Sequence, residues 1–243
     1  MSNSWFYTLL IKKQKFLGDE RFTSVVEASE ALGFTVKNPV TGLISYITKD
    51  GTEWADFDNL EDTGKVISQS GGTLQLWKHD VDIGLTFDHS GEGQAATIHG
   101  LGLDDKPHLG SISLLIDDTH FKDRVAGESL ANDIKRLFVE LCVNLGAVYG
   151  YSIDENLFEW LMHRWHIHQD VKSQKKPSVL CWLNYFEGHY ISKIGMEKLR
   201  NFDCKITEIP STGVIVSFFE SPREVRIPVM QKINEKWWKE SAG

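Results

Sequence analysis

At 243 residues, with 41% hydrophobic and 25% charged positions, the chain has ordinary globular usage, which excludes the low-hydrophobicity, high-charge composition of a disordered protein. Its 34 acidic residues against 26 lysines and arginines leave a formal charge of -8, which repels phosphate backbones and anionic lipid and turns attention from nucleic acid and membranes to basic protein partners. Cys142, Cys181 and Cys204 are odd in number and form no C-x-x-C pair, and two sit in apolar runs, so they read as buried thiols of a reducing compartment. The start has no leader pattern and no apolar stretch approaches the roughly 20 residues of a spanning helix, so the expected address is the cytoplasm.

In chain order, the aromatic and aliphatic run 5–11 predicts a strand, and 22–34 predicts a helix closing at Gly33. Residues 42–51 end in an Asp-Gly turn and 52–57 can return from it, which is a hairpin signal. The small and polar stretch 64–72 is the candidate for a soft joint inside an otherwise single domain spanning 1–243. Four strands follow at 73–78, 83–87, 96–103 and 111–116, separated by turn residues in the manner of an antiparallel meander.

The clearest helix carries Leu130, Ile134, Leu137, Leu141 and Leu145 along one stripe, with Ser129 as its expected N-cap and Gly146 at its end, and it should pack across the meander. A strand near 148–152 and a helix at 155–163 come next. The pattern then restarts as a strand at 178–186, a helix at 189–201, and strands at 204–209 and 213–219. A tail helix at 228–240 puts Met230, Ile233 and Trp237 on one docking face. The expected class is α+β: antiparallel sheet packed against a long helix, with a C-terminal βαββ unit.

No nucleophile elbow, Ser-x-x-Lys or P-loop occurs, and the glycine pairs Gly91 with Gly93 and Gly100 with Gly102 read as turns or bulges. Nothing calls for a cofactor. His163, His166 and His168 fall within six residues and could ligate a transition metal, yet 163 and 166 share a helix face while 166 and 168 share a face only in a strand. Acidic pairs recur at strand ends: Asp80 with Asp82, Asp104 with Asp105, and Asp117 with Asp118. They are either solvated turn residues or, gathered on one edge, a docking surface for lysines and arginines. Trp237 and Trp238, near the charged C-terminus, are the expected exposed aromatics.

From 73 to 219 the layout of strand meander, long helix ending in Leu-Gly-Ala-Val-Tyr-Gly, the strand phrase Trp182-Leu-Asn-Tyr-Phe186, a helix with Ile194-Gly195 and Leu199, and a strand pair ending near Gly213-Val-Ile-Val resembles bacterial immunity proteins of polymorphic toxin systems. That resemblance implies a non-catalytic protein that neutralises a cognate toxin, or another basic protein, by direct binding. The rival expectation is a metal-dependent hydrolase or other small-molecule enzyme using the three histidines with Asp117 and Asp118. A third is an oligomeric structural domain pairing through the tail around Trp237.

Overall fold

The computed structural model describes residues 4–12, 19–49, 51–79, 81–88, 109–123 and 125–240. The chain runs β1 (Ser4–Lys12), α1 (Asp19–Ala31), β2 (Ile44–Ile47), β3 (Trp54–Phe57), α2 (Leu60–Ser70), β4 (Gly72–Lys78), β5 (Val81–Asp88), β6 (Leu109–Asp117) and α3 (Ala126–Asn144). It continues with β7 (Tyr149–Asp154), α4 (Glu155–Leu161), α5 (Ile167–Lys172), β8 (Leu183–Glu187), α6 (Gly188–Ile194), α7 (Met196–Arg200), β9 (Lys205–Ile209), β10 (Gly213–Ser217) and α8 (Ile227–Lys239). The strands form one antiparallel sheet in the order β3-β2-β4-β5-β6-β1-β7-β8-β10-β9. The α+β class, the meander and the C-terminal βαββ order therefore stand, and the expected strand at 96–103 and both glycine pairs lie outside the described residues.

Because side chains alternate across a strand, the register sorts the sheet into two faces. One row reads Tyr46, Leu74, Leu85, Leu114 and Tyr7 across five strands, all buried. Helices α1 and α3 cover this face, with the Phe22 ring 6.1 Å from Phe87 and the Phe138 ring 5.8 Å from Tyr7. Beyond β1 the helices also take the opposite face. Trp165 packs edge-on to Tyr151 at 5.3 Å and to Phe158 of α4 at 4.7 Å, and Tyr190 of α6 meets Tyr149 at 6.1 Å.

Several local expectations are corrected. Helix α3 begins at Ala126 rather than after Ser129, because the Asp123 carboxylate accepts from the amides of Val125 and Ala126 and satisfies donors that a helix start leaves open. It lies over β1 and β7 at the sheet centre, not over the meander. A Cβ on Gly150 would stand 2.8 Å from both Cys142 Sγ and Phe138 Cζ, so the helix sits against bare backbone there. The stretch 64–72 forms the end of α2 and the start of β4, with Gly71 closing the helix through its amide to Ile67.

Residues 178–182 do not join β8. Asn234 of α8 accepts from the Leu180 amide at 2.8 Å and donates to the Leu180 carbonyl at 2.9 Å. Asn184 does the same for Cys181, at 3.1 and 2.6 Å. Side-chain amides thus satisfy the backbone groups that a neighbouring strand would otherwise take. The helix expected at 189–201 breaks into α6 and α7 at Gly195, whose φ of 90 no ordinary helical residue adopts.

The tail helix is docked, as its spacing predicts. Met230, Asn234 and Trp237 are buried, and the Trp237 indole donates to the Pro177 carbonyl at 2.8 Å. Lys176 lies over the Trp237 ring at 3.4 Å and donates to the Trp237 carbonyl at 3.0 Å. Burial, aided by the nearby Lys198, pushes its amine down to about 8. Among the described residues no helix is long and apolar enough to cross a membrane.

Candidate functional site

On β2 to β6 the sheet face opposite α1 and α3 is polar, and among the described residues no helix packs on it. A cleft of about 740 Å³ opens there, between the β2–β3 hairpin and the turn that follows β6. Its composition follows from strand parity. The residues facing α1 and α3 are Leu, Ile, Phe and Tyr, while their alternates are Thr73, Gln75, Asp82, Gly84, Thr86 and Asp117.

Two cross-sheet rows build the floor. The first runs Trp54, Ile47, Thr73 and Thr86, and continues outside the cleft through the buried Ser113, Thr8 and Tyr151. Within it the Thr73 and Thr86 hydroxyls are 2.8 Å apart, and those of Thr8 and Ser113 are 2.9 Å apart. The second row runs Gln75, Gly84 and Leu115. Gly84 lowers the floor at its centre: a Cβ there would project beside the Thr73 methyl at 3.3 Å and Leu115 at 3.6 Å. The Gln75 Oε1 is buried with no donor among the described residues.

The two ends differ electrostatically. At the hairpin end Lys49 pairs with Asp88 at 2.8 Å, so charge there is offset. Trp54 stands on the same rim at 65% exposure, which makes it the large aromatic most open to contact among the described residues. At the other end the β5–β6 ladder closes at Gly84 and Leu115, and Asp82 and Asp117 line the cleft beyond it. No described lysine or arginine pairs with Asp82, and the Asp117 carboxylate accepts from the Thr119 amide at 2.8 Å.

Of the residues the sequence singled out, Asp82 and Asp117 both line this cleft. Asp118 lies one residue further on, in the short 3-10 turn Asp118–Phe121, 3.6 Å from Lys122. Asp80, Asp104 and Asp105 lie outside the described residues. The expected exposure of the tryptophan pair is corrected: Trp237 is fully buried, and Trp238 is half-buried, donating to the Ser178 carbonyl at 2.8 Å and stacked 5.6 Å from Trp160. A tail helix turns its apolar side inward, and both indoles found buried carbonyls.

Sequence reasoning missed Trp54, Lys49, Gln75 and Gly84. The available signal was parity. Trp54 and Asp56 share one face of a four-residue edge strand whose other positions, Ala55 and Phe57, turn inward.

His163 lies in the 3-10 turn Met162–Arg164, while His166 immediately precedes α5 without a side-chain capping bond and His168 lies within it. Among the described residues no group of three or more His, Cys, Asp or Glu side chains is placed to hold a metal ion. Burial pushes the Cys142 and Cys181 thiols up, away from the reactive thiolate form. Compared with models of protein families and with curated proteins, the chain finds no match.

Proposed function

We propose that this chain works by binding another protein, as an immunity protein that neutralises a cognate toxin through direct contact. The observation that carries the reading is the polar cleft on the sheet face that no described helix covers. A strongly exposed tryptophan sits on the rim of a wide cleft, and Asp82 and Asp117 are among the residues that line it. Exposed aromatics anchor protein interfaces, and acidic charge steers a basic partner towards them. The formal charge of -8 acts in the same direction. The layout of residues 73–219 that resembles immunity proteins supports the choice of a toxin as that partner.

The test is capture of partners by the tagged protein from its native lysate, identification by mass spectrometry, and titration of the complex with salt. The captured protein is then expressed with and without this chain. A basic protein that arrests growth alone and not in its company, bound less tightly as salt rises, supports the proposal. A captured protein whose toxicity is unaltered by the chain overturns it.

A further inference from the structure

Charge is unevenly divided along this chain. Up to Trp160 it has 25 acidic and 13 basic residues, while from Leu161 onward the basic residues lead by 13 to 9. The fold gathers much of that excess on α8. Lys232, Lys236 and Lys239 recur at intervals of four and three, so they form one stripe, and it lies opposite the buried Met230, Asn234 and Trp237. All three lysines are exposed, and at about 1.5 Å per residue the stripe is about 10 Å long.

Neighbouring elements widen the basic face. Lys236 donates to the Asn201 carbonyl at 2.6 Å, just past α7. Lys198 of α7 is near enough to Lys176 to add to the effect of burial in pushing that amine down. On the other flank Arg164 lies 4.2 Å over the Trp238 ring. No described carboxylate forms an ion pair with Lys176, Lys198 or the three stripe lysines. Glu235 and Glu240 are the acids at this end of the helix, two against six cations. Lys236 and Lys239 lie in the last turn and offset the helix dipole, but Lys232 lies further back, beyond that effect's reach.

The formal charge of -8 does not cancel this face, because the acids are elsewhere. Helix α8 docks on residues 177–180, which lead into β8, and β8 stands four strand spacings from the Asp82 strand β5. At about 4.8 Å per spacing that is about 19 Å, about two Debye lengths at physiological salt, so the acidic cleft is screened from the stripe. The nearest large aromatic surface is already engaged: Trp238 is stacked 5.6 Å from Trp160 and lies under Arg164. Ammonium groups without an open stacking platform suit backbone phosphates rather than unstacked bases.

We infer that the outer face of α8 binds the phosphate backbone of duplex nucleic acid through Lys232, Lys236, Lys239 and Lys198, without reading its sequence. This face is separate from the cleft, and the inference stands apart from the protein-binding reading.

The probes are two labelled DNA duplexes of about 20 base pairs and unrelated sequence, and binding to the full chain is followed by fluorescence anisotropy. Both are expected to bind alike. For four phosphate contacts log affinity should fall against log salt with a slope of about -3.6, an affinity loss of about 100-fold between about 50 and 200 mM salt. Lys232→Gln combined with Lys239→Gln, both at exposed positions, is expected to lower affinity about tenfold at the lower salt and to make the slope shallower by about 2. Lys37→Gln, beside β2 at the far end of the sheet, should bind as the parent does.

Failure of both duplexes to bind at the lower salt overturns the inference, as does parental binding by the double variant or an equal loss in Lys37→Gln. A preference of about tenfold or more for one duplex overturns the sequence-independent contact. Tighter binding of polyglutamate or of phosphatidylserine vesicles than of DNA assigns the face to an acidic protein or a membrane, and overturns the nucleic-acid reading.

Discussion

Lys49 Nζ lies 2.8 Å from Asp88 Oδ1, tying the tip of the β2–β3 hairpin to the last residue of β5. The two ends of this pair live in different media. The lysine side chain is 45% exposed and the aspartate 6%. Replacing the lysine therefore leaves a carboxylate that water solvates poorly, and the cost should exceed that of an ordinary surface pair. Lys49→Met is expected to lower stability by about 1–2 kcal/mol, read as the urea midpoint, with a slope unchanged from the parent. A midpoint equal to the parent's would show that the hairpin holds its place without the pair.

Asn234 makes three hydrogen bonds from a fully buried side chain, to the Leu180 amide, the Leu180 carbonyl and the Met230 carbonyl. Truncation leaves the Leu180 backbone groups buried without partners. Asn234→Ala is expected to cost about 2–4 kcal/mol in chemical unfolding. It should also raise hydrogen exchange at Leu180 first, because that amide loses its acceptor. Unchanged protection at Leu180 would refute the pinning role.

At Gly150 the sheet backbone touches α3 with no space for a methyl group. Gly150→Ala must push the helix or the strand aside, at about 1–3 kcal/mol. The pair Gly150→Ala with Cys142→Ala should recover part of the loss, since the second change removes the sulfur in the way. Thermal unfolding of the four proteins gives the coupling directly.

Lys176 supplies a pH dependence of definite sign. Its amine ionises at about 8 in the folded protein against 10.5 ordinarily, so between those values the unfolded chain binds more protons. Stability therefore rises as pH increases from about 8 towards 10.5, and the contribution is lost as pH falls through about 8. Exposure and solvent screening make the effect small. Subtracting the profile of Lys176→Met from that of the parent isolates it: the difference should favour the parent progressively across that window. A difference that is flat there would show that the Trp237 ring and carbonyl keep the ammonium charged.

Much of this fold was legible. The period-two runs at β4 and β5, the continuous apolar run of β1 and the leucine stripe of α3 each announce burial, and burial is what these patterns record. What stayed hidden depends on partners far along the chain. Residues 178–182 read as strand because they are apolar, yet Asn234 and Asn184 satisfy their backbone. Neither amide can be placed beside them by local pattern. The cleft was half legible for the same reason: Asp82 and Asp117 were visible as acids at strand ends, but their place on one cleft needs the strand order of the sheet. Trp54 escaped because an aromatic is counted as core until its strand is known to be an edge.

Strand β1 lies in the middle of the sheet, yet both of its neighbours come much later in the chain: Thr8 bonds to Ser113 across 105 residues, and its other flank meets Tyr151. During synthesis an apolar ribbon from Trp5 to Ile11 therefore waits, with both edges open, until β6 and β7 have emerged. Such distant pairings slow folding and lengthen the time in which a nascent chain can pair with its siblings. The centrepiece of the finished sheet is thus the segment a ribosome-bound chaperone would have most reason to shield.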